Sequence, residues 1–319
     1  MKKALLASAV AFAAPTMALA DCGEVSITEM NWDSSAVVTY VSKFLMEQGY
    51  GCTVTTVPSA TVTSLASVSE TGKPDIVTEL WINGTPAYGE LSEAGRIVTL
   101  GDVLSDGGVE GWWVPTYLVE EHPELATLEG VKANPELLDN RFHNCPDGWG
   151  CKNTNTALTQ AAGLADDGYE IFQHGSGETM AASIAAAFEN QEPWLGYYWA
   201  PTSVLGKYDM TMVDLGEYNE EIHTCNSDPE CEEVGLSSYP VGPVKTVVTT
   251  TFQDENPEIA EMMSKVSFTN NQMGEVLAWK EENNASAEEA AVYFITNNSD
   301  VWSQWLNEEA ATNLAGLIQ

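Results

Sequence analysis

The chain has 319 residues, of which 47 are Asp or Glu and 12 are Lys or Arg, giving a formal charge of −35. That balance excludes a nucleic-acid partner, because a phosphate backbone needs a basic face. An acidic surface keeps a chain soluble in a salty medium and draws small cations toward it over about a Debye length.

Lys2 and Lys3 precede an apolar run from Ala4 to Leu19, and Ala18-Leu19-Ala20 places small residues before Asp21. A basic start, a short hydrophobic run and small residues at its end predict a signal peptide over 1–20 and export to the periplasm. The run is too short for a permanent span. Asp21 stands where a lipid-attachment signal needs a small neutral residue, so Cys22 is read as unlipidated. In an oxidising compartment the six cysteines are expected to form disulfides. The spacing of Cys145/Cys151 and Cys225/Cys231 favours two local clips, with Cys22 and Cys52 tying the first strand to a later one, although other pairings stay open. Zinc is disfavoured because no C-x-x-C pair exists.

Val25 to Met30 predicts a strand, Ser35 to Gln48 an amphipathic helix closed by Gly49 and Gly51, and Cys52 to Val57 a second strand. This order implies a crossover unit of a parallel sheet, hence an α/β fold. A helix over Val62 to Val68 and a strand over Asp75 to Trp81 follow, the strand bracketed by Pro74 and the Asn83-Gly84 turn. Gly111-Trp112-Trp113-Val114-Pro115 marks passage into a second lobe, and Tyr239-Pro240-Val241-Gly242 marks the return. The middle segment carries a helix over Glu178 to Glu189 and a strand over Trp194 to Trp199. Val244 to Thr251 reads as a strand rejoining the first lobe. Helices then start at Pro257, near Asn270 or Asn271, and at Ser286, where Glu289 sits at the capping-box position. The expected domains are lobe 1 over 21–112 and 240–319, and lobe 2 over 113–239.

Of the ten tryptophans, Trp32, Trp81, Trp113 and Trp199 sit at or just after a predicted strand end, where open parallel sheets present ligand groups. Indole faces offer apolar contact and a negative quadrupole, worth roughly 0.5–2 kcal/mol per ring toward a desolvated cation. A methylated ammonium suits such a cage because it has no strong N–H donor to satisfy. Trp112 and Trp113 are neighbours on extended chain, so one of them faces the site. Trp194, Trp279, Trp302 and Trp305 lie inside element patterns and are assigned to packing. Glu79 shares a strand face with Trp81 and is the candidate carboxylate for the same ligand; Asp33 is assigned to the helix N-terminus.

Arg96 and Arg141 are the only arginines and neither lies in a tryptophan motif. An anionic ligand end would therefore rely on backbone N–H groups near Gly175-Ser176-Gly177 or Asp147-Gly148-Trp149-Gly150. Ser176 lacks the full nucleophile-elbow pattern, which leaves a hydrolase without a nucleophile and base. The acidic stretch 226–233 around Cys225 and Cys231 does not match EF-hand spacing and is read as a solvated loop rather than a Ca²⁺ site. No metal or cofactor is expected.

Gly175-Ser176-Gly177-Glu178 through Pro193-Trp194-Leu195-Gly196-Tyr197-Tyr198-Trp199-Ala200-Pro201, with Asn31-Trp32, the strand ending at Trp81, Gly111-Trp112-Trp113-Val114-Pro115 and the closing helices, resembles the substrate-binding proteins of glycine betaine, proline betaine and choline ABC importers. The resemblance runs over nearly all of the exported chain. It implies a two-lobed periplasmic binding-protein fold with a ligand cleft and a hinge, a small methylated amine as ligand, a membrane permease as partner, and a monomer. It assigns Trp32, Trp81 and Trp199 to cage positions, with Trp113 as a fourth. The chain departs from the family at Asp33-Ser34, where an acidic residue is often found two positions after the tryptophan, and Glu79 is expected to replace it. Glycine betaine, choline and trimethylamine N-oxide are the expected ligands. A sensory module using the same cleft is the alternative.

Overall fold

Alternating burial over Glu24–Met30 makes the first strand, β1, and the apolar spacing that follows winds the helix Asp33–Tyr50. Gly51 ends that helix in a left-handed turn (φ 72°), its N–H returning to Met46 O. The structure, a computed structural model, describes residues 22–316; the expected signal peptide 1–20 lies outside the described residues. Among the described residues no helix is long and apolar enough to cross a membrane.

Further strands are β2 (Thr53–Ser59), β3 (Ile76–Trp81), β4 (Ile97–Asp102), β5 (Val109–Pro115), β6 (Arg141–Asn144), β7 (Glu170–Gln173), β8 (Gly196–Ala200), β9 (Met210–Met212) and β10 (Val244–Thr249). They form two five-stranded mixed sheets, in the orders β2-β1-β3-β10-β4 and β7-β6-β8-β5-β9. Each sheet is flanked by helices, so the chain builds two α/β lobes, as expected. β1 pairs in parallel with both β2 and β3, as the crossover reading requires, while β10 runs antiparallel to β3 and β4.

The chain crosses between sheets twice. Sequence patterning put the outward boundary at residue 112, but β5 pairs along its length with β8 and β9, so the crossing falls between Asp102 and Val109. There Gly108 and Gly242 exchange backbone hydrogen bonds of 2.8 and 2.9 Å, joining the outgoing and returning chain as a two-stranded hinge. The strand expected over 244–251 stops at Thr249, whose side chain caps a short helix Thr250–Glu255. The helix expected to be capped by Asn270 or Asn271 is capped by Thr269 with Gln272, whereas Ser286 and Glu289 form the expected capping box.

The first core sets Val37, Val38, Val41 and Leu45 of the first long helix against Phe268, Phe294, Trp302 and Trp305. Full burial of each such aliphatic side chain contributes roughly 1.5–3 kcal/mol relative to exposure. Trp302 donates to Ile295 O (2.8 Å), and Trp279 stacks on Tyr293. In the second lobe Trp112 packs on Phe142, and Trp194 stacks on His143 while donating to Ser183 Oγ (2.9 Å). The cysteines pair as Cys22–Cys52, Cys145–Cys151 and Cys225–Cys231.

Candidate functional site

Strand ends from both sheets converge where the lobes meet. Trp32 is the residue before the helix Asp33–Tyr50, Trp81 closes β3, and Trp199 lies near the end of β8. Together with Trp149, the residue before the helix Gly150–Ala162, they line one cleft. Glu110, Tyr197, Tyr239, His223, Thr61 and Thr154 complete most of its wall.

The rings stand edge to face. Trp149 lies 5.4 Å from Trp32 at 72° and 5.0 Å from Trp199 at 83°, so three indole planes turn about one corner. Tyr197 lies near-parallel to Trp199 at 6.3 Å, and Tyr239 is 6.0 Å from Tyr197. Three of the four indole N–H groups are tied outside the cleft. Trp32 Nε1 donates to Glu79 Oε1 at 2.6 Å, Trp81 Nε1 to the same oxygen at 3.4 Å, and Trp149 Nε1 crosses the lobes to Asn31 Oδ1 at 2.7 Å. With the edges anchored, the quadrupolar faces are what remains for a ligand.

Glu79 is fully buried and its backbone is left-handed (φ 49°), a conformation that a non-glycine residue adopts at a cost of order 1 kcal/mol. Its Oε1 also accepts Ser34 Oγ at 2.7 Å. Burial raises its carboxyl to about 7, against the opposing pull of those donors. Glu110, on β5, is likewise pushed up to about 7 by burial, with Tyr197 OH donating to Oε1 at 2.7 Å. Burial also lowers His223, so that side chain favours the neutral imidazole. No lysine or arginine is among the residues lining the cleft.

Of the expected site residues, Trp32, Trp81 and Trp199 share the cleft. Trp113 does not reach it: strand alternation sends Glu110 and Trp112 to one face of β5 and Trp113 to the other, where its Nε1 donates to Tyr198 O (3.1 Å). Trp112 does not line it either; it is fully buried and donates to Asn155 Oδ1 (2.7 Å). Glu79 stands behind the rings, touching their N–H edges. The turn holding Trp149 was singled out for its backbone N–H groups rather than for its ring. Glu110, Tyr197 and Tyr239 were not anticipated, although Tyr197 is legible as the same-face neighbour of Trp199 two residues on. Ser176 caps the helix Gly177–Asn190 through Thr179 N. Among the described residues no group of three or more His, Cys, Asp or Glu gathers to hold a metal.

The family model "Substrate binding domain of ABC-type glycine betaine transport system" matches residues 23–297. A trimethylamine N-oxide-binding protein of Pelagibacter ubique is 24% identical, covering 95% of this chain and 97% of that protein. Among solved structures, the glycine betaine/L-proline-binding protein of Borrelia burgdorferi superposes with a TM-score of 0.75 at 18% identity, covering 91% of this chain and 99% of its own. A choline-binding protein in complex with choline gives 0.73 at 17% identity, with 93% and 98% covered. The lactococcal protein in its closed, glycine betaine-liganded conformation gives 0.70 at 19% identity, with 89% and 100% covered. At these identities the structural likenesses speak to the fold.

Proposed function

The chain belongs to the substrate-binding family of ABC-type glycine betaine transport systems, and from that premise we propose that its cleft takes a small methylated amine, with trimethylamine N-oxide as the ligand it fits best. Family membership makes it an extracytoplasmic binding protein whose partner is an importer permease. The choice of ligand rests on one observation, a buried carboxyl near neutrality in a ring-lined cleft without a cationic side chain.

A trimethylated head packs on the faces of Trp32, Trp81, Trp149 and Trp199. The N-oxide oxygen is a hydrogen-bond acceptor and calls for a donor. Glu110 in its neutral form supplies an O–H, and Thr154 Oγ1, buried without a partner on the cleft wall, supplies another. A carboxylate-bearing zwitterion would instead desolvate a full negative charge beside Glu110 with no arginine or lysine to meet it, a net penalty. Choline, a cation without an acceptor of comparable strength, favours the ionised form of Glu110 and so makes the opposite demand. The 24% identical relative whose name gives trimethylamine N-oxide as its ligand points the same way.

Calorimetry across pH separates the two. Affinity for trimethylamine N-oxide is expected to fall as pH rises through about 7 and Glu110 ionises, while affinity for choline rises. Tighter binding of choline than of trimethylamine N-oxide below pH 7, or an affinity for the N-oxide that does not fall through that window, would overturn the choice of ligand.

A further inference from the structure

We propose that the Cys145–Cys151 disulfide is a positioning element of the ligand cage: by closing the loop 145–151 it fixes Trp149 against Trp32 and Trp199. The inference rests on the functional reading above and goes beyond it, since a disulfide in an exported chain is ordinarily explained by stability alone.

Trp149 is the ring that touches both lobes. It meets Trp199 of its own lobe and Trp32 of the other, and its indole N–H reaches Asn31 across the gap. The local ties of the segment that carries it lie at its edge: Asp147 pairs with Lys152 at 2.9 Å near the surface, and Trp149 O accepts Lys152 N at 3.3 Å. Gly148 (φ 85°) and Gly150 flank Trp149, and the turn bond from Trp149 N to Pro146 O is 3.4 Å, beyond the usual hydrogen-bond length. Gly148 O accepts from Val62 N on the other lobe, a contact available only while the lobes are together.

The clip supplies what the loop lacks. Cys145 and Cys151 are both buried, and Cys151 itself lines the cleft. Asn155, fully buried, braces the closed loop by donating to Cys151 O (3.0 Å) and Cys145 Sγ (3.4 Å). Its Oδ1 meanwhile accepts Tyr239 OH (2.8 Å) and Trp112 Nε1 (2.7 Å), so the same amide ties the clip to a second ring of the wall. The Cys225–Cys231 clip has the same sequence separation but neither cysteine lines the cleft, which makes it a matched control.

The test is a thermodynamic cycle read by calorimetry with trimethylamine N-oxide and choline as probes. Relative to wild type, Cys145→Ser/Cys151→Ser is expected to bind about tenfold more weakly, the loss of roughly one well-placed ring, with Cys225→Ser/Cys231→Ser within about twofold. In a Trp149→Ala background, which has no ring for the clip to place, removing the clip is expected to add little further loss. Should the serine variant fail to fold, wild type reduced after folding by a trialkylphosphine takes its place. The phosphine gives two electrons and takes oxygen from water, leaving two thiols for each bridge it opens; alkylation and mass spectrometry identify the preparation opened at 145 and 151, and the Cys225→Ser/Cys231→Ser variant treated in parallel reads the effect of the other bridges. A clipless chain that binds as tightly as wild type, or one that loses the same factor with Trp149→Ala as without it, overturns the inference while leaving the functional reading in place. Wild type that takes up neither probe overturns that reading, and this inference with it.

Discussion

Glu79 and Glu110 are two buried carboxyls that face no cation, and both are pushed up to about 7 by loss of solvent. The folded chain therefore keeps protons that an unfolded chain, with carboxyls near 4.5, has released. Their contribution to stability is whole below about 4.5 and is lost as pH rises through about 7. Thermal melts are expected to show a lower midpoint at pH 8 than at pH 5.5, and Glu79→Gln is expected to narrow that difference; an unchanged difference would place the titrating groups elsewhere. Removing a ring acts on binding instead. Trp199→Ala is expected to weaken trimethylamine N-oxide by about 3- to 30-fold in calorimetry, the span of one cation–π face. The rings at strand ends were legible in the sequence because a strand's carboxyl end has a predictable place in an α/β sheet. Trp149 was not, since it precedes a helix in a clipped loop, and spacing alone does not say that this loop folds back across the other lobe. Glu110 was hidden because its strand was cut at the Trp112-Trp113 pair, which separated it from the face it shares with Trp112.

At the scale of elements the hinge and the cage are in contact. A Cβ built on Gly108 would stand 2.1 Å from Trp81 Cζ3, so the backbone of the crossing chain lies directly against a cage ring. Gly242 across the pair is similarly filled, its Cβ position 2.5 Å from Asn83 Nδ2. Gly108→Ala must displace Trp81, and it is expected to cost about tenfold in ligand affinity with a smaller effect on melting; titration by tryptophan fluorescence checks it, and unaltered affinity would separate hinge from cage. The glycine- and aspartate-rich stretch between Leu100 and Gly111 was legible as the approach to the second lobe, and Gly107-Gly108 within it is the crossing. The bulky Gly-Trp-Trp-Val-Pro segment drew the boundary instead, because β5 begins with Val109-Glu110-Gly111 and lacks the alternation that announces a strand. The first crossover unit, the existence of the returning strand and the capping box at Ser286 were readable, since each follows from local spacing; the antiparallel direction of that strand was not.

For the molecule as a whole, the lobes are held together by contacts that straddle the cleft. Trp149 reaches Asn31, Gly148 accepts from Val62, and Lys207 pairs with Glu281 at 2.6 Å. The last is solvent-exposed and screened, so it adds little, and on the proposed reading a ligand bridging both sets of rings shifts the balance between open and closed. Small-angle scattering is expected to show a smaller radius of gyration with saturating trimethylamine N-oxide than without; an equal radius would contradict ligand-driven closure. The most direct test of the account is a crystal structure grown with trimethylamine N-oxide. It should place the three methyl groups against the faces of Trp32, Trp81, Trp149 and Trp199, with the oxygen in hydrogen-bond reach of Glu110. A ligand seated elsewhere, or one whose oxygen points away from Glu110 toward the indoles, would contradict it.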